Sequence, residues 1–452
     1  MRTFPAILTL PILAMLALPA GPAAAQLRGL PLGGGSPLGV PVGSILHNVS
    51  GDVDTLVDHT TGDMTTRLDD LATRRLDAAD DRLSRYPDVL EKSPQGDLIV
   101  RHQLVAYAPS DAALDAAKAA GFTIGDAQTL DGLGVRLVVL DAPRGVSTHE
   151  ALKRLHALDP DGVYDYNDIY LGSASGGEAS GQVPSLDKDV RGEGGGRVGL
   201  IDGGVDAGHP AFRGAAIEQK GFAGAVVPSA HGSATGSLLI GRSDGFAGAA
   251  PGSRLLVADV YGNAPTGGST GAILGALDWL AQKHVAVINI SLVGPSNEPL
   301  RAAVATLVGR GYLIVAAVGN DGPAAKPLYP AAFPGVIGVT AVDRKNRVLI
   351  EAGRGPQVTF AAPGADIAAA ATGNAYVEVR GTSFAAPIVA GLLAQRLTAP
   401  DPAAARTAIA ALSAKAVDLG APGRDPVYGA GLVGGDIRPD MRAATAGLKK
   451  HS

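Results

Sequence analysis

Five short runs from residue 198 onward have no polar face: residues 198–201, 255–260, 285–290, 313–318 and 336–341. A strand that is apolar on both sides must be covered on both sides, which is the condition of strands in a parallel sheet. Runs with helical character alternate with them, at 269–283, 298–310, 383–397 and 402–416. Strand and helix in alternation predict an α/β domain with a mostly parallel central sheet. In such sheets the chemistry gathers at the carboxyl ends of the strands. Those ends are where reactive residues are to be sought.

The first run leads into Asp202-Gly203-Gly204-Val205-Asp206. An aspartate at the end of a buried strand is suited to hold a histidine tautomer and to stabilise its imidazolium. Asp206 lies beyond the glycine turn and reads as a loop residue. His231 opens Gly232-Ser233-Ala234-Thr235-Gly236, whose small residues let a helix start close against a site. The chain has nine histidines, so a lone one is weak evidence. His209, followed by Pro210, reads as structural, and His284 is poorly placed just before a strand. The run at 313–318 ends in Gly319-Asn320-Asp321-Gly322, where Asn320 is either an ordinary turn residue or an amide donor. Ser383 stands in Gly381-Thr382-Ser383-Phe384-Ala385-Ala386-Pro387. Gly381 permits a sharp turn. A serine at a helix start lies beside backbone N–H groups that favour negative charge, as a nucleophile and an oxyanion require. A capping serine is the ordinary alternative. Pro387 is expected in the first turn of that helix.

The stretch from Gly381 to Pro387 resembles the nucleophile motif of the subtilisin-like (subtilase) serine proteases, complete over G-T-S-x-A-A-P. The resemblance implies a three-layer subtilisin-like fold. It makes Ser383 the nucleophile, His231 the base, Asp202 the orienting carboxylate and Asn320 an oxyanion donor, in the order Asp, His, Asn, Ser. Two departures stand out. Gly203 occupies a position where the family usually has Thr or Ser. Ser233 and Thr235-Gly236-Ser237 replace the Thr and Val-Ala-Gly of H-G-T-x-V-A-G. Asn289-Ile290-Ser291-Leu292-Val293-Gly294 resembles the family's S-L-G substrate strand with Val293 inserted. By that resemblance Ser291, Leu292 and Gly294, with Ala317 and Gly319, bind the substrate backbone and line a roomy apolar pocket. The segment Val427-Tyr428-Gly429-Ala430-Gly431-Leu432-Val433 resembles the family's closing motif, so the likeness spans 197–435. The chemistry requires no cofactor. No metal ligands are assigned: calcium is common in the family, but no contiguous acidic loop declares a site.

Length and composition set the remaining bounds. With 452 residues, of which 46% are apolar, the chain can bury two or three domains. A net charge of −5 gives no argument for nucleic acid. The absence of cysteine excludes disulfides, thiol catalysis and Cys-ligated zinc. Residues 1–25 read as a secretory signal: Arg2, an apolar run broken by Pro5, Pro11 and Pro19, then Ala23-Ala24-Ala25. The chain is expected to be exported, periplasmic or extracellular, with no membrane span after signal removal. Residues 26–92 read as a flexible leader and an amphipathic helical arm, in which Leu68, Ala72, Leu76, Ala79 and Leu83 share a face and Pro87 ends the helix.

Residues 93–175 have the order β-α-β-β-α-β, a ferredoxin-like α+β pattern whose second strand is a short one near Phe122. Placed between a signal and a protease-like domain, it resembles the inhibitory propeptides of subtilases, with residues 164–173 as the tail that would block the cleft. Residues 176–196 form a Gly/Ser-rich linker open to processing. Residues 197–440 form the catalytic domain and 441–452 an exposed tail. The expected function is that of a secreted serine endopeptidase working through an acyl-enzyme and made as a self-inhibited zymogen. Its partners are polypeptide substrates and its own propeptide. The alternative, from a different class, is a binding or scaffold protein of the same fold with little peptidase activity.

Overall fold

Residues 75–85 form a helix, α1, that stops just short of Pro87, where the ring disfavours helical backbone in the residue before it. The computed structural model describes residues 75–172 and 196–449. The signal segment, the leader and most of the linker lie outside the described residues.

After α1 comes a small antiparallel sheet. Its strands are β1 (Leu90–Lys92), β2 (Leu98–Tyr107), β3 (Thr123–Leu130), β4 (Val135–Asp141) and β5 (Val163–Asp168). Helices α2 (Asp111–Ala119) and α3 (Thr148–Leu158) interrupt them. The spatial order is β3-β4-β2-β5, with β1 beside the start of β2. The strand expected near Phe122 is longer than its sequence suggested, because β3 is an exposed edge strand with no apolar alternation. The sheet also starts earlier than residue 93, at Leu90, which is fully buried. Alternate residues of β2 face two cores. Leu104 and Ala106 pack with α2 and α3. Val105 and Tyr107 pack on the other side, with the helices of the second domain.

A two-residue strand, β6 (Leu171–Gly172), ends this first described segment. The large sheet then uses β7 (Arg197–Asp202), β8 (Ile217–Gly221), β11 (Arg254–Asp259), β12 (Val287–Ile290), β14 (Leu313–Ala317), β15 (Ile337–Val342) and β16 (Val358–Pro363). All seven are parallel, in the order β16-β15-β14-β12-β7-β11-β8. Short antiparallel pieces lie outside it: β9 (Arg242–Ser243) with β10 (Phe246–Ala247), β13 (Leu292–Val293) with β6, and β17 (Ala365–Ala370) with β18 (Tyr376–Arg380). One face of the sheet carries α4 (Ala230–Ile240) and α7 (Thr382–Ala394). The other carries α5 (Thr270–Gln282) and α6 (Glu298–Gly309). Neighbouring residues of one strand divide between these layers, Leu200 toward α4 and α7 and Ile201 toward α5 and α6. Helices α8 (Pro402–Ser413) and α9 (Met441–Lys449) complete the chain. The segment read as an exposed tail is thus a helix, anchored by Ala444, which is fully buried in the main core.

The first domain sits on α5 and α6. Leu133, at the β3–β4 turn, is 1% exposed and lies in their core. Its N–H donates to Asp278 at 3.0 Å, and Arg310 donates to the carbonyls of Gly132 and Leu133 at 2.7 and 2.8 Å. Asn167 accepts from Gly271 N–H at 3.1 Å and Asp165 from Glu298 N–H at 3.0 Å, so each serves the start of one helix.

Candidate active site

Asp202 is the last residue of β7, and Ser229 caps α4 so that His231 falls in its first turn. His231 Nδ1–H donates to both oxygens of Asp202, at 2.8 and 2.9 Å. Asp202 is 1% exposed and has two further donors, Gly203 N–H at 2.7 Å and the Thr235 hydroxyl at 3.2 Å. Thr235 shares that hydroxyl with the carbonyls of His231 and Gly232, at 3.0 and 3.1 Å. The two departures from the family pattern therefore meet at one carboxylate. A Cβ at Gly203 would lie 2.4 Å from the Ser229 hydroxyl, so glycine makes room for the cap that starts the histidine helix. Thr235, one helical turn after His231, returns a hydroxyl to Asp202.

Burial pushes the His231 pKa down, but the charge and hydrogen bond of Asp202 outweigh it and hold the imidazole above its ordinary 6.5. With Nδ1 donating, Nε2 is the acceptor of the neutral ring. It finds no hydrogen-bond partner among the described residues. The ring lies 5.5 Å from that of Phe384, beside the first turn of α7.

Ser383 is the second residue of α7 and is fully buried. Gly381 precedes the helix at φ +143°, a backbone that side chains rarely adopt. Pro387 corrects an expectation: it is the sixth residue of α7, inside the helix and past its first turn. A proline has no N–H for the carbonyl four residues back, and that carbonyl belongs to Ser383. The hydroxyl of Ser291 takes the vacant role, donating to it at 2.9 Å. Asn289 Nδ2 donates in turn to the Ser291 oxygen at 2.9 Å, and the Ser383 hydroxyl donates to the Ser291 carbonyl at 3.2 Å. Neither Asn289 nor Thr235 was given a role from the sequence. The available signal for Asn289 was a polar residue in a run otherwise apolar on both faces.

Asn320 follows β14, and its Oδ1 accepts from Thr382 N–H at 3.1 Å. That bond orients the amide beside the start of α7 and leaves its NH₂ to face elsewhere. Gly319 N–H donates to the Thr382 hydroxyl at 3.2 Å, and Ala317 is fully buried at the end of β14. Asp206 is turned away, accepting from Gly208 and Gly373 N–H at 3.2 and 3.1 Å. His209 Nδ1 accepts from Ala211 N–H at 3.1 Å while Nε2–H donates to the Ala375 carbonyl at 2.9 Å, a structural pairing.

The strand slot beside the site is filled by the chain itself. β6 runs antiparallel to β13, Leu171 opposite Val293 and Gly172 opposite Leu292. On its other side Tyr170 N–H donates to the Gly268 carbonyl at 2.8 Å and the Tyr261 hydroxyl donates to the Tyr170 carbonyl at 3.1 Å. Tyr170 is fully buried, with its hydroxyl donating to the Pro295 carbonyl at 2.8 Å. Its ring covers Gly294, where a Cβ would come within 2.5 Å. At Gly172 a Cβ would stand 3.8 Å from His231 Nε2. The structure thus gathers Asp202, His231, Ser383, Ser291, Leu292 and Gly294 around one extended segment, with Asn320, Gly319 and Ala317 on the α7 side. Among the described residues no group of three or more His, Asp or Glu is arranged to hold a metal ion.

A family model described as the subtilase family matches residues 194–431. The chain belongs to the subtilase family of serine proteases. It is 32% identical over 246 residues to subtilisin DY of Bacillus licheniformis, covering 52% of this chain and 88% of that protein. It is 31% identical over 237 residues to thermitase of Thermoactinomyces vulgaris, covering 51% and 84%. Among solved structures, fervidolysin from Fervidobacterium pennivorans, a keratinolytic enzyme related to subtilisin, superposes with a TM-score of 0.61 at 19% identity. The superposition covers 79% of this subtilase and 62% of the fervidolysin chain, so the shared fold extends beyond the family-matched segment.

Proposed function

We propose that this subtilase is an exported serine endopeptidase that cuts polypeptides through an acyl-enzyme, and that its N-terminal α+β domain holds it as a zymogen. The Ser383 hydroxyl rotates from the Ser291 carbonyl to His231 Nε2, which takes its proton as the oxygen attacks the scissile carbonyl. Asp202 keeps the imidazole in that tautomer and stabilises the cation that forms. The Asn320 amide and the backbone N–H of Ser383 receive the oxyanion. One such donor is worth roughly 10²–10³ in turnover. The imidazolium then protonates the leaving amine, and water repeats the sequence on the acyl-enzyme. No cofactor enters, because nucleophile, base and donors all come from the chain.

The observation that carries this reading is β6. An extended segment paired with β13, with Gly172 against His231, is how a peptide awaiting or following cleavage would lie. The intact mass of the exported protein beside its Ser383→Ala variant tests it. Loss of roughly the first 170 residues in the wild type alone is the expected result. Two full-length proteins would count against self-processing. The unpartnered Nε2 of His231 favours a second reading, a binding or scaffold protein of this fold. Labelling of Ser383 by a fluorophosphonate probe, in a sample freed of the N-terminal domain, would reject it.

A further inference from the structure

The segment in the slot has two faces, because successive side chains of an extended chain point opposite ways. Tyr170 and Gly172 face the enzyme. Ile169 and Leu171 face outward, and in an open cleft they would meet water. Instead Ile169 is 3% exposed and Leu171 is half-buried, in one apolar cluster with Ala79, Leu83 and Leu98. Ala79 and Leu83 stand four residues apart on one face of α1. Two arginines of α1 tie it to the catalytic domain. Arg75 Nε–H donates to Asp321 at 2.6 Å, with side-chain exposures of 21% and 12%. Arg82 donates to the carbonyls of Pro265 and Ala264, at 3.2 and 3.4 Å. Ala264 and Pro265 belong to the loop that flanks Tyr170, whereas Asp321 directly follows Asn320.

We propose that these two loops form a docking surface for an amphipathic helix that presents two arginines to them, and that α1 seated there is a strap holding the tail in the substrate slot. The proposal rests on the reading of that tail as inhibitory and adds an element to it. The carbonyls of Ala264 and Pro265 and the carboxylate of Asp321 present negative charge to two arginines about two turns apart on one face, and the apolar backs of Ile169 and Leu171 fill the space between. A cut between Gly172 and Gly196 then does not open the cleft, because the tail remains pinned from above until α1 lifts. Arg75 also restrains the loop on which the Asn320 amide depends.

Hydrogen exchange on the full chain carrying Ser383→Ala, with and without Arg75→Ala and Arg82→Ala together, tests the strap without recourse to activity. The amides of residues 169–172 are expected to exchange at least about tenfold faster once the strap is loosened, while β7 and β12 keep their protection. Arg154→Ala, which breaks an exposed pair on the distant α3, is the control and is expected to leave these rates alone. Leu83→Asp, which attacks the apolar contact instead, is expected to act like the double variant. Unchanged exchange at 169–172 in both would overturn the proposal. In chains that keep Ser383, loosening the strap shortens the lag before peptidase activity appears. If no chain shows activity, the peptidase reading fails while the exchange data still decide the strap.

Discussion

The two domains differ in how much each owes the other. The catalytic domain buries its parallel sheet between its own helices, and both faces are covered by residues from 197 onward. The N-terminal sheet covers only one face by itself, with α2 and α3. Its other face, with Val105, Tyr107, Leu133 and Leu137, is completed by α5 and α6 of its neighbour. One domain is self-sufficient and the other is half a domain until it docks. If the N-terminal domain is the inhibitor proposed above, a face completed only by its neighbour would make its release hard to reverse.

The largest expected effect separates chemistry from this architecture. Ser383→Ala should lower kcat by roughly 10⁶-fold, while calorimetry shows its catalytic domain melting as in the wild type. A collapse of the catalytic transition in that variant would break the comparison. Leu133→Ala should cost about 2–5 kcal/mol, the range for a buried leucine. It should appear as a separate, earlier melting of the N-terminal domain with the catalytic transition unmoved. A single transition that shifts as a whole would mean that the dependence runs both ways.

Docking should also respond to pH. Burial raises the pKa values of Asp165 and Asp168 above the ordinary 3.8, and a neighbouring carboxylate adds to each, Glu298 at Asp165 and Asp165 at Asp168. Hydrogen bonds from Asn297 and from the Glu298 N–H lower them only in part. Groups with raised values take up protons on docking, so the contact is strongest below the ordinary value and weakens as pH rises through the raised ones. Each contributes up to about tenfold per pH unit in that window. Titrating the early transition against pH checks the sign, and the slope should fall in Asp165→Asn. The smallest effect concerns Thr235. Thr235→Val removes one donor from Asp202 and should cost about 1 kcal/mol in kcat/KM. The carboxylate, with one donor fewer, then holds the His231 proton harder, so the rising limb of the pH–rate profile should move to higher pH. A profile that keeps its position would reduce Thr235 to a packing residue.

What could be read in advance followed burial. The five strands with apolar runs were legible because both of their faces are covered. β8, Ile-Glu-Gln-Lys-Gly, was not, since it is the sheet's edge and keeps its polar side chains half-open. β16 escaped for a different reason: it ends the strand order, its outer side is met only by the irregular segment around Leu432, and its last residue, Pro363, has no N–H to donate. At the site, residues marked by a local motif were legible, and His231 was placed despite its altered surroundings. Thr235 was not, because its meaning depends on Gly203, distant in sequence and joined to it only through Asp202. The use of α1 depended on Asp321 and Pro265, contacts of long range that no periodicity announces.

Pro387 has a last consequence. The carbonyl it leaves without a helical donor is that of Ser383, and the hydroxyl that serves it sits on Ser291, one residue before the strand on which an extended peptide lies. Guest and nucleophile are therefore coupled through a single residue. A peptide that pulls β13 into register also adjusts the serine, whereas one that binds out of register slackens the same link. On the proposed reading of Ser383 as the nucleophile, a well-seated chain and a poorly seated one would then differ in the poise of the attacking group before any bond is broken.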